Sequence, residues 1–175
     1  SEYGRHLQDN LVAGLVLTCL GGPEEKLSYK RTRREDTLID NVVQHIDEYM
    51  EPNLRFRPFD TRGSDERQYC SPGFNLPVGQ FARTVYAEYD GYHNSMDDKE
   101  FVQIESLVHS ADVIERVLET FEYAGYYINQ NPYGEPMMSK RDLYPTINNP
   151  EESTRDDIIQ TMMRVLNYSD GKHSI

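Results

Sequence analysis

Tryptophan is absent from this 175-residue chain, and cysteine occurs only twice, at Cys19 and Cys70. Two cysteines so far apart leave no basis for a disulfide framework or a Cys-rich zinc site, and a reducing cytoplasm is the expected compartment. No apolar run approaches the roughly 20 residues that a membrane-spanning helix needs, so no membrane partner is expected. The opening residues, SEYGRHLQDN, are too polar to read as a secretory leader. Positive charge is scarce as well. Lys and Arg number 18 against 30 Asp and Glu, a net charge of -12, which argues against a general nucleic-acid surface because phosphate binding rests on Lys and Arg. A Gly-rich phosphate loop, a nucleophile elbow and a dinucleotide fingerprint are all missing, so the large enzyme classes built on them have no local support.

What remains is polar but globular: 37% hydrophobic and 27% charged residues, enough for one ordinary domain and a small appendage. Thirteen tyrosines suggest that amphipathic aromatic contacts carry part of the packing. Leu11 to Leu20 is a continuous apolar run closed by Gly21-Gly22-Pro23, the pattern of a strand buried on both faces. Gly14 and the β-branched residues weigh against a helix there. Residues 27–34, LSYKRTRR, alternate and are basic, which reads as a solvated strand at a sheet edge. Asp36 is placed to cap a helix over 36–50, with Ile39, Val42, Val43 and Ile46 at helical spacing. Residues 54–59 read as a short edge strand and 74–83 as a buried one. The 103–123 segment is the longest helix, with Ile104, Leu107, Val108, Ala111, Ile114, Val117, Leu118 and Phe121 on its stripe. The 127–150 segment, rich in Asn, Pro, Gly and Tyr, reads as an ordered linker, and 151–175 begins a further helical element.

The stretch 63–98, GSDERQYCSPGFNLPVGQFARTVYAEYDGYHNSMDD, collects most of the chemistry. It holds an acidic pair (Asp65, Glu66), two arginines (Arg67, Arg83), a thiol (Cys70), and a histidine followed by acids (Tyr92-His93, then Asp97-Asp98). Paired carboxylates can do acid–base work because one pKa is pushed upward. The arginines can neutralise them in an internal salt bridge or hold a substrate carboxylate. Asp97 and Asp98 can orient His93 or cap the helix that follows.

Ser64-Asp65-Glu66, Asn75-Leu76-Pro77 and Tyr92-His93-Asn94 with Asp97-Asp98 together resemble the active-site segments of the zinc aminopeptidase family of the aminopeptidase-Y type. GSDERQYCSPGFNLPV resembles, more closely, a bacterial branch of aminopeptidase-like proteins often encoded near polysaccharide-biosynthesis genes. The resemblance implies an α/β three-layer sandwich with a mixed sheet, incomplete in this chain, and assigns 1–126 to the C-terminal part of that domain. It implies that His93 is a zinc ligand and that Asp65 and Glu66 lie near the site, with Arg67, Arg83, Tyr92, Asp97 and Asp98 as supporting or substrate-contacting groups. Thr18 stands where the family has a metal-binding Asp, so one zinc ion is expected rather than two. The implied substrate is a peptide or amino-acid amide with a free amino terminus. The family's other ligands and its general base would come from an upstream part of the same protein. A non-catalytic scaffold that keeps the fold is the alternative. The same branch places a winged-helix module after Asn167-Tyr168-Ser169-Asp170-Gly171, so 151–175 is expected to be its truncated start. An exposed apolar sheet edge or face, or one covered by a second copy of the chain, should accompany an incomplete sheet.

Overall fold

The computed structural model describes residues 2–50, 53–141 and 152–173. Two compact units divide the chain, Ser1–Glu122 and Tyr123–Ile175. The first unit holds the helices α1 (Glu2–Asn10), α2 (Leu38–Met50), α3 (Glu66–Tyr69) and α4 (Ile104–Tyr123, whose last residue falls in the second unit), with strands β1 (Gly14–Leu17), β2 (Ser28–Lys30), β3 (Arg55–Arg57) and β4 (Val78–Ala82). The strands form one mixed sheet in the order β1-β4-β2-β3. β1 runs parallel to β4, with Val16 opposite Gln80; β2 runs antiparallel to β4, with Lys30 opposite Gln80, and parallel to β3. The apolar runs 11–20 and 74–83 thus supply neighbouring strands, and β4 is buried along its whole length.

β1 differs from expectation. It is four residues long, none of them buried, and it lies at a sheet edge among the described residues. Val12 is 65% and Leu17 49% exposed. The Val16 side is covered: Leu7, Leu11, Val16 and Phe59 pack against Cys70, Leu76 and Val78. An apolar run signals cover on two faces, and the described residues supply it on one. The polar opening residues give no sign of α1 in the sequence; Leu7 is the one aliphatic side chain on it.

β2 is also corrected. It lies between β4 and β3 and is buried, not at a solvated edge. Alternation sends Tyr29 to one face and Lys30 to the other. Tyr29 packs on Phe81 (centroids 5.0 Å apart) and Phe56 (6.0 Å) and donates its hydroxyl to Asp40 of α2 at 2.9 Å. Gly79 permits this crossing, since a Cβ there would collide with the Tyr29 ring. The start of α2 is built by Thr37 and Asp40 rather than by Asp36. Thr37 N and Oγ1 both donate to Asp40 Oδ2, at 3.1 and 2.6 Å, the half of a capping box in which the acid reaches back to the helix entrance.

The 74–83 strand begins only at Val78, because Asn75 is in a left-handed conformation (φ 46°) and Pro77 lacks an N–H. α4 matches its expected span, but its buried residues are Ser110, Val113, Ile114 and Val117; Ile104, Leu107, Val108 and Leu118 are exposed.

In the second unit a short 3-10 helix (Met138–Arg141) precedes α5 (Glu152–Tyr168). Ile128 bridges Asp170, and Asp170 Oδ1 accepts the backbone N–H groups of Lys172 and His173. Those bonds hold the Asp170 carboxyl down at about 2. Gly171 completes the turn at φ 76°. Part of the expected 127–150 linker, 142–150, lies outside the described residues. Among the described residues no helix is long and apolar enough to cross a membrane.

Candidate functional site

In a sheet with parallel strands, chemistry collects where neighbouring strands end at their carboxyl side. Here β1 and β4 end together. Cys19, in a left-handed conformation (φ 49°), offers its carbonyl to the N–H groups of Arg83 and Thr84 at 3.1 and 3.2 Å. Gly21 O accepts Gln103 N at 2.8 Å, which ties this end to the approach of α4. Thr18 stands at the same end, its Oγ1 3.4 Å from Cys19 Sγ. Cys19 is half-buried there rather than a core residue. The Thr84 hydroxyl is buried and has no hydrogen-bond partner among the described residues.

From β4 the chain enters 86–103, a run of turns held by aromatic contacts. Tyr89 stacks on Phe101 (4.7 Å, 14°), Tyr92 meets Tyr89 (5.8 Å) and Tyr86 (6.3 Å), and His93 stacks on Tyr92 (3.9 Å, 16°). Burial pushes the Tyr89 phenol up to about 12, with Cys19 and Asp97 adding to the effect. His93 is exposed, at φ 58°. Among the described residues no hydrogen bond or ion pair joins it to Asp97 or Asp98. Asp98 Oδ1 instead accepts Glu100 N and Phe101 N at 2.9 and 3.1 Å, capping the turn ahead of α4. Asp97 is exposed.

The remaining candidates part company. Asp65 is exposed and stands at the N-terminus of α3 without a side-chain cap bond; Arg67 is exposed on the same helix. Glu66 is fully buried. Its Oε1 pairs with Lys30 Nζ at 2.5 Å, its Oε2 accepts Gln80 Nε2 at 3.1 Å, and both oxygens accept Ser64 N. Lys30 Nζ also donates to Arg62 O (2.9 Å), Asp60 O (3.4 Å) and Tyr86 Oη (3.2 Å). The partner of Glu66 is thus Lys30 of the basic 27–34 run, and not Arg67 or Arg83. Arg83 serves another place: it donates to Glu24 O and Glu25 O (3.0 and 2.8 Å), Ser110 Oγ (3.0 Å) and His109 Nδ1 (2.6 Å). Burial lowers its guanidinium from the usual value. Cys70 is buried with its thiol directed at Leu76 O and Val78 O, a structural position.

Among the described residues no three His, Cys, Asp or Glu side chains converge as a metal cluster. These residues alone therefore do not make up a whole zinc site, which needs about four ligands. In the second unit Pro136, Met138, Thr161, Met162, Val165 and Leu166 line a cavity of about 290 Å³ that sequence reasoning did not anticipate.

Comparison with known proteins supports the same division of the chain. The family model described as a domain of unknown function (DUF4910) matches residues 3–124, and a winged helix-turn-helix model matches 125–175. A Clostridium acetobutylicum protein named "Putative polysaccharide biosynthesis protein with aminopeptidase-like domain" is 39% identical over 166 residues, covering 95% of this chain and 37% of that protein. The crystal structure of a "putative peptidase" from Clostridium acetobutylicum is 35% identical, with a TM-score of 0.77 over 97% of this chain and 36% of that one. The chain thus spans little more than a third of the length of either.

Proposed function

We propose a function from the premise that the chain belongs to the DUF4910 family: it is part, by its motifs the C-terminal part, of a zinc-dependent aminopeptidase-like hydrolase. The substrate is a peptide or amino-acid amide with a free amino terminus, and the sheet belongs to a three-layer arrangement larger than this chain. The observation that carries the reading is His93, exposed on a turn beyond the carboxyl end of β4 and stacked on Tyr92. A relative named for an aminopeptidase-like domain supports it. His93 supplies one zinc ligand, and the other ligands and the general base come from elsewhere in the complete gene product. Bound zinc polarises a carbonyl and acidifies a water; no step is assigned to residues of this chain beyond holding the metal. Thr18, next to Cys19 where the family has an Asp, favours one ion.

A non-catalytic scaffold is the second reading, favoured by Thr18, which stands where the family has a metal-binding Asp. Elemental analysis of the complete gene product, as wild type and His93→Ala, separates the two. Zinc in the wild type, lost in His93→Ala with thermal unfolding unchanged, is the expected result. Equal zinc in both overturns the ligand assignment, and zinc in neither leaves the scaffold.

A further inference from the structure

We propose that the buried Lys30–Glu66 pair, acting through Tyr86, is the device that positions His93. The inference deepens the zinc reading and rests on it only for its purpose; the positioning itself is a property of this chain. Lys30 and Glu66 are 2% and 0% exposed. Burying two charges costs several kcal/mol per ion, and apolar residues of the same volume usually serve stability as well. The pair is better explained by what it holds. Four parts of the chain meet on it: Lys30 from β2, Gln80 from β4, Glu66 from α3, and the 60–64 turn, whose Arg62 carbonyl and Ser64 N–H are both engaged. Gly63 lets the turn close over it, since a Cβ there would strike Glu66 and Lys30.

The network reaches the 86–103 run through Tyr86. Tyr86 Oη donates to Arg62 O at 2.9 Å, lies 3.3 Å from Gln80 Oε1, and accepts from Lys30 Nζ. Tyr86 opens the 86–103 run, and its ring begins the aromatic series that passes through Tyr92 to His93. That run contains no helix or strand and two left-handed non-glycine residues, Ala87 and His93; backbone bonds such as Tyr92 N to Tyr89 O and Asn94 N to Gly91 O close its turns, and side-chain anchors join those turns to the sheet. Tyr89 on Phe101 anchors the far side; on the near side Glu88 pairs with Arg55 and Arg57 of β3, and the Tyr86 hydroxyl ties the run to the charge pair. Glu66, Lys30 and Tyr86 are accordingly positioning residues for His93.

Histidine-labelled NMR of the full chain tests this without any metal. The His93 ring signal, identified by its loss in His93→Gln, is expected to be displaced by the Tyr92 ring beneath it. In Tyr86→Phe, which keeps the ring and removes the hydroxyl, at least half of that displacement should vanish. Glu66→Gln should do the same, and Glu66→Asp should restore part of it. The signals of His6, His45 and His173 should stay in place, as should every signal in the exposed control Gln68→Ala. A His93 signal unmoved in folded Tyr86→Phe overturns the proposal, and that variant carries the test even if Glu66→Gln fails to fold. Zinc content of the wild-type gene product is read separately: its absence counts against the zinc reading alone.

Discussion

At the residue scale, the charge pair under β4 sets the sharpest expectations. Removing one partner strands the other at a position 2% exposed or less. Lys30→Ala should therefore destabilise the fold by about 3–5 kcal/mol, whereas the double variant Lys30→Met/Glu66→Gln should recover most of that loss. Urea unfolding of the three proteins decides; a double variant no more stable than Lys30→Ala would mean that the two side chains do not act as a pair. Thr84 presents the opposite case. Its buried hydroxyl has no partner among the described residues, so Thr84→Val, which keeps the shape and removes the polar atom, should raise stability by roughly 1 kcal/mol. A loss of stability there would reveal a hydrogen bond that the hydroxyl makes in solution. Neither site was legible in the sequence. Lys30 and Glu66 are 36 residues apart, and a lysine in an alternating basic run reads as solvated until the partner strands close over it. His93 stood out only because Tyr92-His93 and the acids after it resemble a known motif; a lone histidine in a polar loop carries no local signal of its own.

At the scale of elements, the long periodic helices were legible and the short ones were not. α2 and α4 repeat apolar residues often enough to show a period, while α1 and the four-residue α3 are defined by contacts made elsewhere in the chain. The cap of α2 was misplaced by one residue because Asp40, an acid inside the first turn, does the capping work expected of Asp36. Burial alone would raise the Asp40 carboxyl, but hydrogen bonds from Thr32, Thr37 and Tyr29 outweigh it and hold it below the ordinary value. Because the folded value is the lower one, the contribution to stability is fully present above the unfolded carboxylate range, near about pH 4, and is lost as pH falls through the folded value. Asp40→Asn should thus cost about 2–3 kcal/mol at neutral pH, and the gap from wild type should narrow in acid. Parallel stability–pH curves for the two proteins would exclude this role for Asp40.

At the scale of the whole molecule, the mismatch between sequence and structure lies in what is left uncovered. The apolar run 11–20 calls for burial on both faces, yet Val12 and Leu17 are largely exposed, as are Ile104 (72%) and Val108 (53%) on α4. Sequence periodicity places apolar residues correctly but cannot say which segment covers them. The chain also spans little more than a third of its relatives' length. Scattered exposed apolar residues are ordinary, but a sheet-edge strand with apolar side chains in solvent is one that soluble proteins normally protect. Against association stands the net charge of -12, whose repulsion acts over a Debye length of about 10 Å at 0.1 M salt and only about 3 Å at 1 M. The 175-residue chain should therefore be monomeric and weakly dye-binding at low ionic strength, and should self-associate as salt rises, the reverse of a charge-held assembly. Leu17→Lys and Val108→Lys should each suppress that association while changing stability by no more than about 0.5 kcal/mol, as surface substitutions do. Sedimentation at two salt concentrations checks the first expectation and thermal unfolding the second. A strong loss of stability in Leu17→Lys would mean that the side chain is covered in solution, and the sheet face that it occupies on β1 would then be a closed one.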